Sequence, residues 1–426
     1  MKRMMLNKLS VFFLLLFVTQ IGCAQNDELM INSAHLDYLF EEISVDGKEM
    51  AIVHIYSNAP DYKYIGDDDE GIACVDDVAR AAVYYLYDWQ INNSEESLHK
   101  NKKLLEFILY MQADNGYFYN FIWDDYSINK DFKTSVAEPN WWSWRALWVL
   151  TESYEAYKLN DPAFAEKIWN SVDKIVASIK NDIPAEYNYA NIAGLQTPSW
   201  LPYKFASDQA SVLLLGLSEY YKITKDEIIL NYIKKLCDGI IAMQVNDVTN
   251  EFNGAFLSWE NTWHAWGNLQ SYSLLKCYEI TQNDELLNAA LKELDEFYPY
   301  LLENNFLNSF SVERKGEQIV VNEKEKFSQI AYNIRPMVFS LLEAYKITGE
   351  VKYAEKAADA ALWLMGNNVA ETKMYDEESG RIYDGINSEN VVNKNSGAES
   401  TIEGLLCLLK IKENEIAQKY FLQKKK

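Results

Sequence analysis

Positive charge is scarce in this sequence. Its 426 residues include 63 Asp and Glu but only 40 Lys and Arg, which gives a net charge of −23 at pH 7. A chain with this charge repels polyanions at long range, so nucleic acid is excluded as an expected partner. The same argument disfavours an acidic polysaccharide, unless a local basic pocket overrides the long-range field.

Cysteine and histidine are also few, with five and four residues. Four cysteines lie far apart in apolar helical contexts without a CxxC pair: Cys74, Cys237, Cys277 and Cys407. We expect buried free thiols. The alternative, in an oxidising compartment, is a disulfide between two of these cysteines. The sequence has no EF-hand spacing, phosphate-binding loop, nucleophile elbow or zinc motif. We therefore expect no metal and no other cofactor.

Only one uninterrupted apolar leader is present, at 11–18, and it is too short to span a bilayer. Basic residues precede it, which predicts a secretory signal over 1–23. The residues QIGC at 20–23 resemble a bacterial lipoprotein box and predict lipidation of Cys23, with ordinary cleavage after Ala24 as the alternative. We expect an exported protein, periplasmic or on the outer membrane or cell surface, with a lipid anchor as its only membrane attachment.

Hydrophobic residues are abundant at 49%, and 12 Trp and 29 Tyr are present. This composition predicts a large globular core, and exposed indole or phenol faces are suited to stacking on sugars. After a disordered spacer at 24–33, the Asp46-Gly47 pair between two β-prone runs predicts a short hairpin. We expect a single domain over 34–415 and a charged tail over 416–426.

Helical periodicity recurs from residue 77 to residue 412. Short polar turns alternate with longer loops rich in aromatic and acidic residues. The rich loops lead into helices near six positions, spaced about 56 to 67 residues apart: Asp77, Trp142, Asp208, His264, Ala331 and Ala398. Six helical hairpins predict an all-α (α/α)6 toroid whose inner helices begin at one mouth. The alternative, an open solenoid, would have shorter and more uniform repeats.

The first of these loops lies within 66–85 and is the most acidic. Acidic residues also favour helix starts for structural reasons, and Ser396 with Glu399 matches a capping box. Capping does not require aromatic residues at every helix start, however, so we interpret the six loops together as a site. Glycoside hydrolysis needs a protonated carboxyl and a second carboxylate. The catalytic candidates are Asp77 and Glu260, followed by Asp76 and Glu138.

The substrate-binding candidates are aromatic or charged residues of the same loops: Trp141, Trp142, Trp144, Arg145, Trp200, Tyr203, Asp208, Trp259, Trp263, His264, Tyr332, Arg335, Asp384 and Glu399. A second hypothesis is a polysaccharide lyase or sugar epimerase with His264 or Tyr332 as the base, and an arginine neutralising a uronate. A third is a glycan-binding lipoprotein without catalysis, for which the aromatic residues would suffice.

The six-hairpin layout resembles the six-hairpin glycosidase superfamily, which includes glycoside hydrolases, unsaturated-uronyl hydrolases and sugar epimerases. The segment CVDDVARA at 74–81, with the later Asn120-Phe121 and RALW at 145–148, is similar to an all-helical domain attached to some bacterial glycosyltransferases. This second likeness covers about the first third of the mature chain. It implies the toroid and a carbohydrate context without transferring a reaction, because that domain has no firmly assigned catalytic residues. This chain departs from the fused form by lacking a transferase domain and carrying the predicted export leader.

Overall fold

The computed structural model describes residues 28–184 and 186–425. The predicted signal and Cys23 lie outside the described residues. The helices, in chain order, are α1 Ala34–Leu39, α2 Val75–Asn92, α3 Glu95–Tyr110, α4 Trp141–Asn160, α5 Pro162–Asp182, α6 Ser207–Thr224, α7 Glu227–Ala242, α8 Gln270–Thr281, α9 Asp284–Lys292, α10 Tyr298–Glu303, α11 Ala331–Thr348, α12 Val351–Ala361, α13 Ala398–Glu413 and α14 Glu415–Lys424. A π-helical segment, Glu293–Phe297, joins α9 to α10, and a 3-10 turn, Leu362–Met365, follows α12.

The strands are short and lie between the helices: β1 Phe40–Val45, β2 Lys48–Val53, β3 Tyr56–Asn58, β4 Lys63–Ile65, β5 Ala73–Cys74, β6 Phe121–Ile122, β7 Tyr189–Ile192, β8 Leu195–Pro198, β9 Thr262–His264, β10 Ser309–Lys315, β11 Gln318–Glu325, β12 Tyr375–Asp376, β13 Arg381–Ile382, β14 Gly385–Ser388 and β15 Val391–Asn393. Strands β9, β10 and β11 form a three-stranded sheet, and the others pair in twos. No helix of the described chain is long and apolar enough to cross a membrane.

Six inner helices form a closed ring. Each of α2, α4, α6, α8, α11 and α13 packs against the next, and α13 packs against α2. The outer helices α3, α5, α7, α9, α12 and α14 pack behind them as the second members of six hairpins. This arrangement confirms the predicted (α/α)6 toroid, because an open solenoid would leave its first and last helices apart.

The burial pattern of each helix explains its layer. Helix α6 is buried at nearly every position from Ser207 to Ser218, as expected for a helix surrounded by neighbours. Helix α7 buries one stripe, formed by Ile229, Ile233, Leu236 and Ile240, and turns its other face to solvent. Each such side chain contributes roughly 1.5–3 kcal/mol when fully buried.

The short turns that join inner to outer helices fix which mouth carries the long loops. Asn93, Lys225, Gln282 and Gly349 end α2, α6, α8 and α11 in the left-handed conformation, with φ between 52° and 72°. Such a residue reverses the chain within two or three positions. The longer loops, with their strands, therefore gather at the opposite mouth, where the inner helices begin.

Two details of the N-terminal part of the domain agree with the sequence. Strands β1 and β2 form the expected hairpin, and Asp46 and Gly47 take the positive φ angles of 51° and 75° that a two-residue turn requires. The four cysteines of the described chain are buried free thiols, as predicted.

Three boundaries were predicted wrongly. The fourth inner helix begins at Gln270, and His264 lies in β9 paired with Ser309 of β10. Residues 416–426 are not a simple charged tail, because α14 buries Phe421 and packs against α12 as the sixth outer helix. The described part of the spacer is packed rather than free. There, Leu29 is buried, and the Asn32 amide donates to the Glu377 and Glu378 carbonyls.

Candidate functional site

The first inner helix begins with a carboxylate that is buried and paired. Cys74 is the N-cap of α2, and its Sγ accepts from the Asp77 backbone N–H. The Asp77 Oδ1 atom lies 2.5 Å from Arg80 Nη2, one helical turn later. Burial raises the pKa of Asp77 to about 6, although Arg80 lowers it. The Oδ1 atom is the one that accepts from Arg80.

Arg80 also links α2 to the last inner helix, α13. Its Nη1 lies 3.0 Å from Glu399 Oε2 and 3.1 Å from Glu403 Oε1. Glu403 is fully buried and also pairs with Arg335 of α11 through both of its oxygens. The Glu399 side chain, by contrast, is 44% exposed. Glu399 is therefore a carboxylate that a ligand in the mouth can reach.

A third arginine joins the group from α4. Arg145 Nη1 pairs with Asp76, and its Nη2 donates to the Tyr332 hydroxyl at 2.5 Å. The Tyr332 ring lies against three guanidinium groups, those of Arg80, Arg145 and Arg335, at 5.0, 5.5 and 5.3 Å from its centroid. We name this group the arginine–carboxylate cluster; it comprises Asp76, Asp77, Arg80, Arg145, Tyr332, Arg335, Glu399 and Glu403.

The charges of the arginine–carboxylate cluster do not cancel when all its members are ionised. Three arginines face four carboxylates, which leaves one negative charge in excess in a largely buried setting. A cluster of this kind lowers its free energy by keeping one carboxyl protonated. Asp77 is the carboxyl of the cluster whose pKa is raised, to about 6, so it is the one that takes up a proton first as the pH falls.

A second group lies at the third and fourth inner-helix starts. His264 Nε2 lies 2.9 Å from Asp208 Oδ2, and both side chains are largely buried. The other ring nitrogen of His264, Nδ1, is buried and has no hydrogen-bond partner among the described residues. The Trp266 ring stacks on the imidazole at 3.8 Å, and 39% of Trp266 is exposed. Trp266 therefore offers an aromatic face to a ligand, with the Asp208–His264 pair holding it from behind.

The two groups meet at Gly267. A Cβ added there would lie 3.0 Å from the Tyr332 hydroxyl and 3.1 Å from the Trp141 ring, and φ is +74°. Both features favour glycine at this position. Trp141 also covers Arg145, whose guanidinium lies 5.0 Å from its ring centroid. Gly267 and Trp141 therefore lie between the arginine–carboxylate cluster and Trp266.

Four of the predicted sugar platforms are largely buried, namely Trp142, Trp144, Trp200 and Trp263, and two of these, Trp144 and Trp200, also line a small pocket between the loops. The indole nitrogens of Trp142 and Trp200 donate to the backbone carbonyls of Phe118 and Lys235. Trp263 stacks on Phe310 of β10 at 5.1 Å. These indoles fill the space beneath the loops, where their area stabilises irregular backbone that helices do not support.

Glu138 and Asp384 hold loops in place. Glu138 accepts from the Asn140 amide at 2.9 Å, next to the start of α4. Asp384 accepts from the Gly397 N–H at 2.8 Å and the Ser400 hydroxyl at 2.5 Å, at the start of α13. These contacts give both side chains a structural role, which the predictions of Glu138 as a catalytic candidate and Asp384 as a binding candidate did not include. A helix start gains from a nearby carboxylate whether or not a ligand binds.

Three further candidates lie in exposed loops. Trp259 and Glu260 occupy the tight turn before β9, where Glu260 has a φ of +52° and forms no hydrogen bond or ion pair within the described residues. Trp259 bridges to Ala206 at the start of α6. Tyr203 is 64% exposed on the rim of the mouth. No hydrogen bond joins Glu260 to Asp77 within the described residues, and the pairing of these two acids stays a prediction.

Sequence reasoning missed four residues of the mouth: Arg80, Glu403, Trp266 and Gly267. One signal was available for the first two. Arg80 follows Asp76 and Asp77 by one turn, and Glu403 follows Glu399 by one turn, each on an otherwise apolar inner helix. Charged side chains in a fully buried helix need partners, so two such helices of opposite charge predict a contact.

No protein-family model and no curated protein sequence matches this chain. Solved structures match it along most of its length. The cellobiose 2-epimerase from Bacillus thermoamylovorans B4167 has a TM-score of 0.60 at 12% identity, covering 89% of this chain and 95% of the epimerase. A family 76 glycoside hydrolase from a bovine Bacteroides thetaiotaomicron strain has a TM-score of 0.57 at 15% identity, covering 89% and 76%. These structures share the fold of this chain.

A sugar epimerase from a ruminal bacterium gives the same result, with a TM-score of 0.58 at 14% identity over 85% of this chain and 92% of that one. At identities of this size the likeness establishes the fold alone. The reaction has to be argued from the side chains at the mouth.

Proposed function

We propose that this protein is a carbohydrate-active enzyme, specifically a glycoside hydrolase whose catalytic carboxyls lie in the arginine–carboxylate cluster. The observation that carries the proposal is that Arg80 binds two carboxyls of different character. Asp77 is buried, with its pKa raised to about 6, and Glu399 is half-exposed. Hydrolysis needs one carboxyl that gives a proton to the leaving oxygen and one that activates water or attacks carbon. Asp77 fits the first role and Glu399 the second.

The remaining residues of the mouth fit substrate binding. Trp266 and Trp141 supply aromatic faces for the apolar side of a sugar ring. Asp76, whose side chain is 22% exposed, can accept hydrogen bonds from sugar hydroxyls while Arg145 fixes its orientation. These contacts would hold the glycosidic oxygen toward Asp77.

The environment of His264 favours hydrolysis over epimerisation or elimination. A histidine base needs a ring nitrogen that faces the substrate carbon. In this protein Nε2 is engaged by Asp208, and Nδ1 is buried. Tyr332 is likewise almost wholly buried, and its hydroxyl already accepts from Arg145. The Glu399 and Asp76 side chains are 44 and 22% exposed, against 11% for His264, so a substrate in the mouth reaches these carboxylates more readily than the imidazole.

The structural neighbours support carbohydrate as the substrate class. Their names describe one family 76 glycoside hydrolase and two epimerases, so both reaction types occur on this fold. The net charge of −23 favours a neutral glycan over an acidic one.

A screen with matched variants tests the proposal. The purified protein is incubated with neutral and acidic glycans, and new reducing ends are measured. Asp77→Asn and Glu399→Gln should each lower the rate at least about a hundredfold. Glu138→Gln is the control, because that side chain contacts a loop amide and should leave the rate unchanged. Full activity of both cluster variants would contradict the assignment. Glycan binding without cleavage, unchanged in both variants, would favour a binding protein.

We further propose that the chain is exported and anchored by a lipid on Cys23. The support is the apolar run at 11–18 followed by QIGC at 20–23. Cell fractionation tests this proposal. Wild type should partition with membranes and Cys23→Ala should be soluble, whereas equal partitioning of the two would contradict the anchor.

A further inference from the structure

Three tyrosines on one side of the mouth are unusually exposed. Tyr187, Tyr189 and Tyr203 are 51, 53 and 64% exposed, and they lie within seventeen residues of one another in the loop around β7 and β8. The rings of Tyr187 and Tyr189 both lie 4.9 Å from the buried Trp200 ring. We name these three residues the tyrosine patch. Exposed aromatic surface held on a rigid support is characteristic of a binding site.

A pocket of about 160 Å³ adjoins the tyrosine patch. We name it the rim pocket; its walls include Tyr117, Trp144, Asp182, Trp200, Tyr203 and Tyr232. Asp182 is the carboxylate of this pocket, and it accepts from the Tyr117 hydroxyl at 2.5 Å. Aromatic walls with a few polar groups are suited to sugar rings, which have an apolar face and a hydroxylated edge.

The rim pocket and the mouth share a wall. Trp144 lines the pocket, and its indole N–H donates to Gln209 at 3.0 Å. Gln209 follows Asp208, which holds His264, and its amide donates to Asn140 at 3.3 Å, immediately before Trp141. Trp144 and Gln209 therefore lie between the rim pocket and Trp141, at the starts of α4 and α6.

We propose that the tyrosine patch and the rim pocket bind the part of a glycan chain that extends beyond the catalytic mouth. This inference rests on the proposed function and adds that the substrate is a polymer or long oligosaccharide. The glycan is neutral. Lys235 lies 4.5 Å from the Tyr187 ring centroid and donates to the Pro184 carbonyl, and the net charge of −23 favours a neutral glycan over an acidic one.

The test compares long and short substrates. Hydroxyethylcellulose, mannan and xylan are assayed with wild type, and the one cleaved fastest is used with its own di- and trisaccharides. Tyr203→Asn removes the most exposed ring, and asparagine tolerates the φ of +49° at this position. Tyr203→Phe retains the ring. The control is Tyr38→Asn, an exposed tyrosine on α1, which packs against α13 on the sixth-hairpin side.

Tyr203→Asn should raise KM for the polymer roughly three- to tenfold while KM for the short sugars stays unchanged. The KM values of Tyr203→Phe and Tyr38→Asn should match those of wild type for both the polymer and the short sugars. An equal effect on long and short substrates, or no effect on either, would overturn the inference while leaving the hydrolase proposal intact. If no glycan is cleaved, affinity electrophoresis in the same three polymers decides. Retardation that Tyr203→Asn abolishes supports the inference, and absence of retardation overturns it.

Discussion

Arg80 holds Asp77 and Glu399 on the two ends of one guanidinium group, at 2.5 and 3.0 Å. This relationship joins the first and last inner helices of the ring. It also places a buried carboxyl with a raised pKa next to one that solvent reaches, which is the asymmetry that acid–base catalysis requires. Closure of the toroid and assembly of the site therefore depend on the same side chain.

The proposed role of Asp77 predicts the pH dependence of the rate. Its pKa in the folded protein is raised to about 6, so the proton is present below that pH and lost above it. We expect kcat/KM to fall above pH 6, approaching about tenfold per pH unit. Arg80→Lys weakens the ion pair with Asp77, so the pKa of Asp77 should rise. The decrease in kcat/KM should then begin at a higher pH. A decrease that begins at the same pH as in wild type would contradict the assignment.

Glu399 and Glu403 should differ sharply in their effect on stability. Glu403 is fully buried and pairs with Arg80 and Arg335, so Glu403→Gln leaves buried positive charge unpaired. We expect a loss of about 3–5 kcal/mol in the free energy of unfolding. Glu399→Gln should cost less than about 1 kcal/mol, because solvent screens this half-exposed pair. Urea unfolding of the two variants measures the contrast, and equal losses would refute it.

Glu293 makes stability depend on pH independently of the mouth. It is buried in the π-helical segment, accepts from Ser271 Oγ at 2.6 Å and from Phe256 N–H at 3.2 Å, and burial raises its pKa from 4.5 to about 7. The folded state then binds the proton more tightly than the unfolded state. Stability should fall as pH rises from about 4.5 to 7, by up to about 3 kcal/mol.

Glu293→Gln removes this titration while keeping both hydrogen bonds, since one amide atom can face each partner. We expect the variant to match wild type at pH 4 and to be more stable than wild type at pH 8. Thermal unfolding at the two pH values provides the measurement. A variant destabilised equally at both would show that the carboxylate is needed for packing.

Two neighbouring tryptophans should separate binding from stability. Trp266 exposes one face while the other stacks on His264, so Trp266→Ala should raise KM about tenfold with little loss of stability. Trp263 is buried against Phe297 and Phe310, so Trp263→Ala should cost about 3–5 kcal/mol. Steady-state kinetics and urea unfolding of both variants test this distinction. A raised KM in Trp263→Ala together with a loss of stability in Trp266→Ala would contradict the placement of the sugar on Trp266.

The sequence was sufficient for the repeat and the ring, because hydrophobic periodicity and the alternation of short and long loops are local signals. It was less informative about individual aromatics. Trp141 and Trp142 are adjacent in the sequence. Trp141 covers Arg145 at the mouth, whereas the indole N–H of Trp142 donates to the Phe118 carbonyl in the core. Helical rotation between successive residues decides this, and the exact start of the helix was not predictable to one residue.

The charged contacts were hidden for a different reason. Arg80 and Glu403 are 323 residues apart, and their pairing exists only because the ring closes. Glu399 matched a capping box with Ser396, but its side chain pairs with Arg80, and the Ser396 hydroxyl donates to the Ile382 carbonyl. The local capping-box motif therefore predicted a structural role for Glu399, whose partner, Arg80, lies on another helix.

Isotope incorporation tests the central claim most directly. The enzyme is incubated with its substrate in water enriched in both ¹⁸O and deuterium, and the products are analysed by mass spectrometry. Hydrolysis by Asp77 and Glu399 predicts one ¹⁸O at the new reducing end and no deuterium on a sugar carbon. Deuterium on carbon in a product of unchanged chain length, without incorporated ¹⁸O, would contradict hydrolysis and assign the mouth to epimerisation.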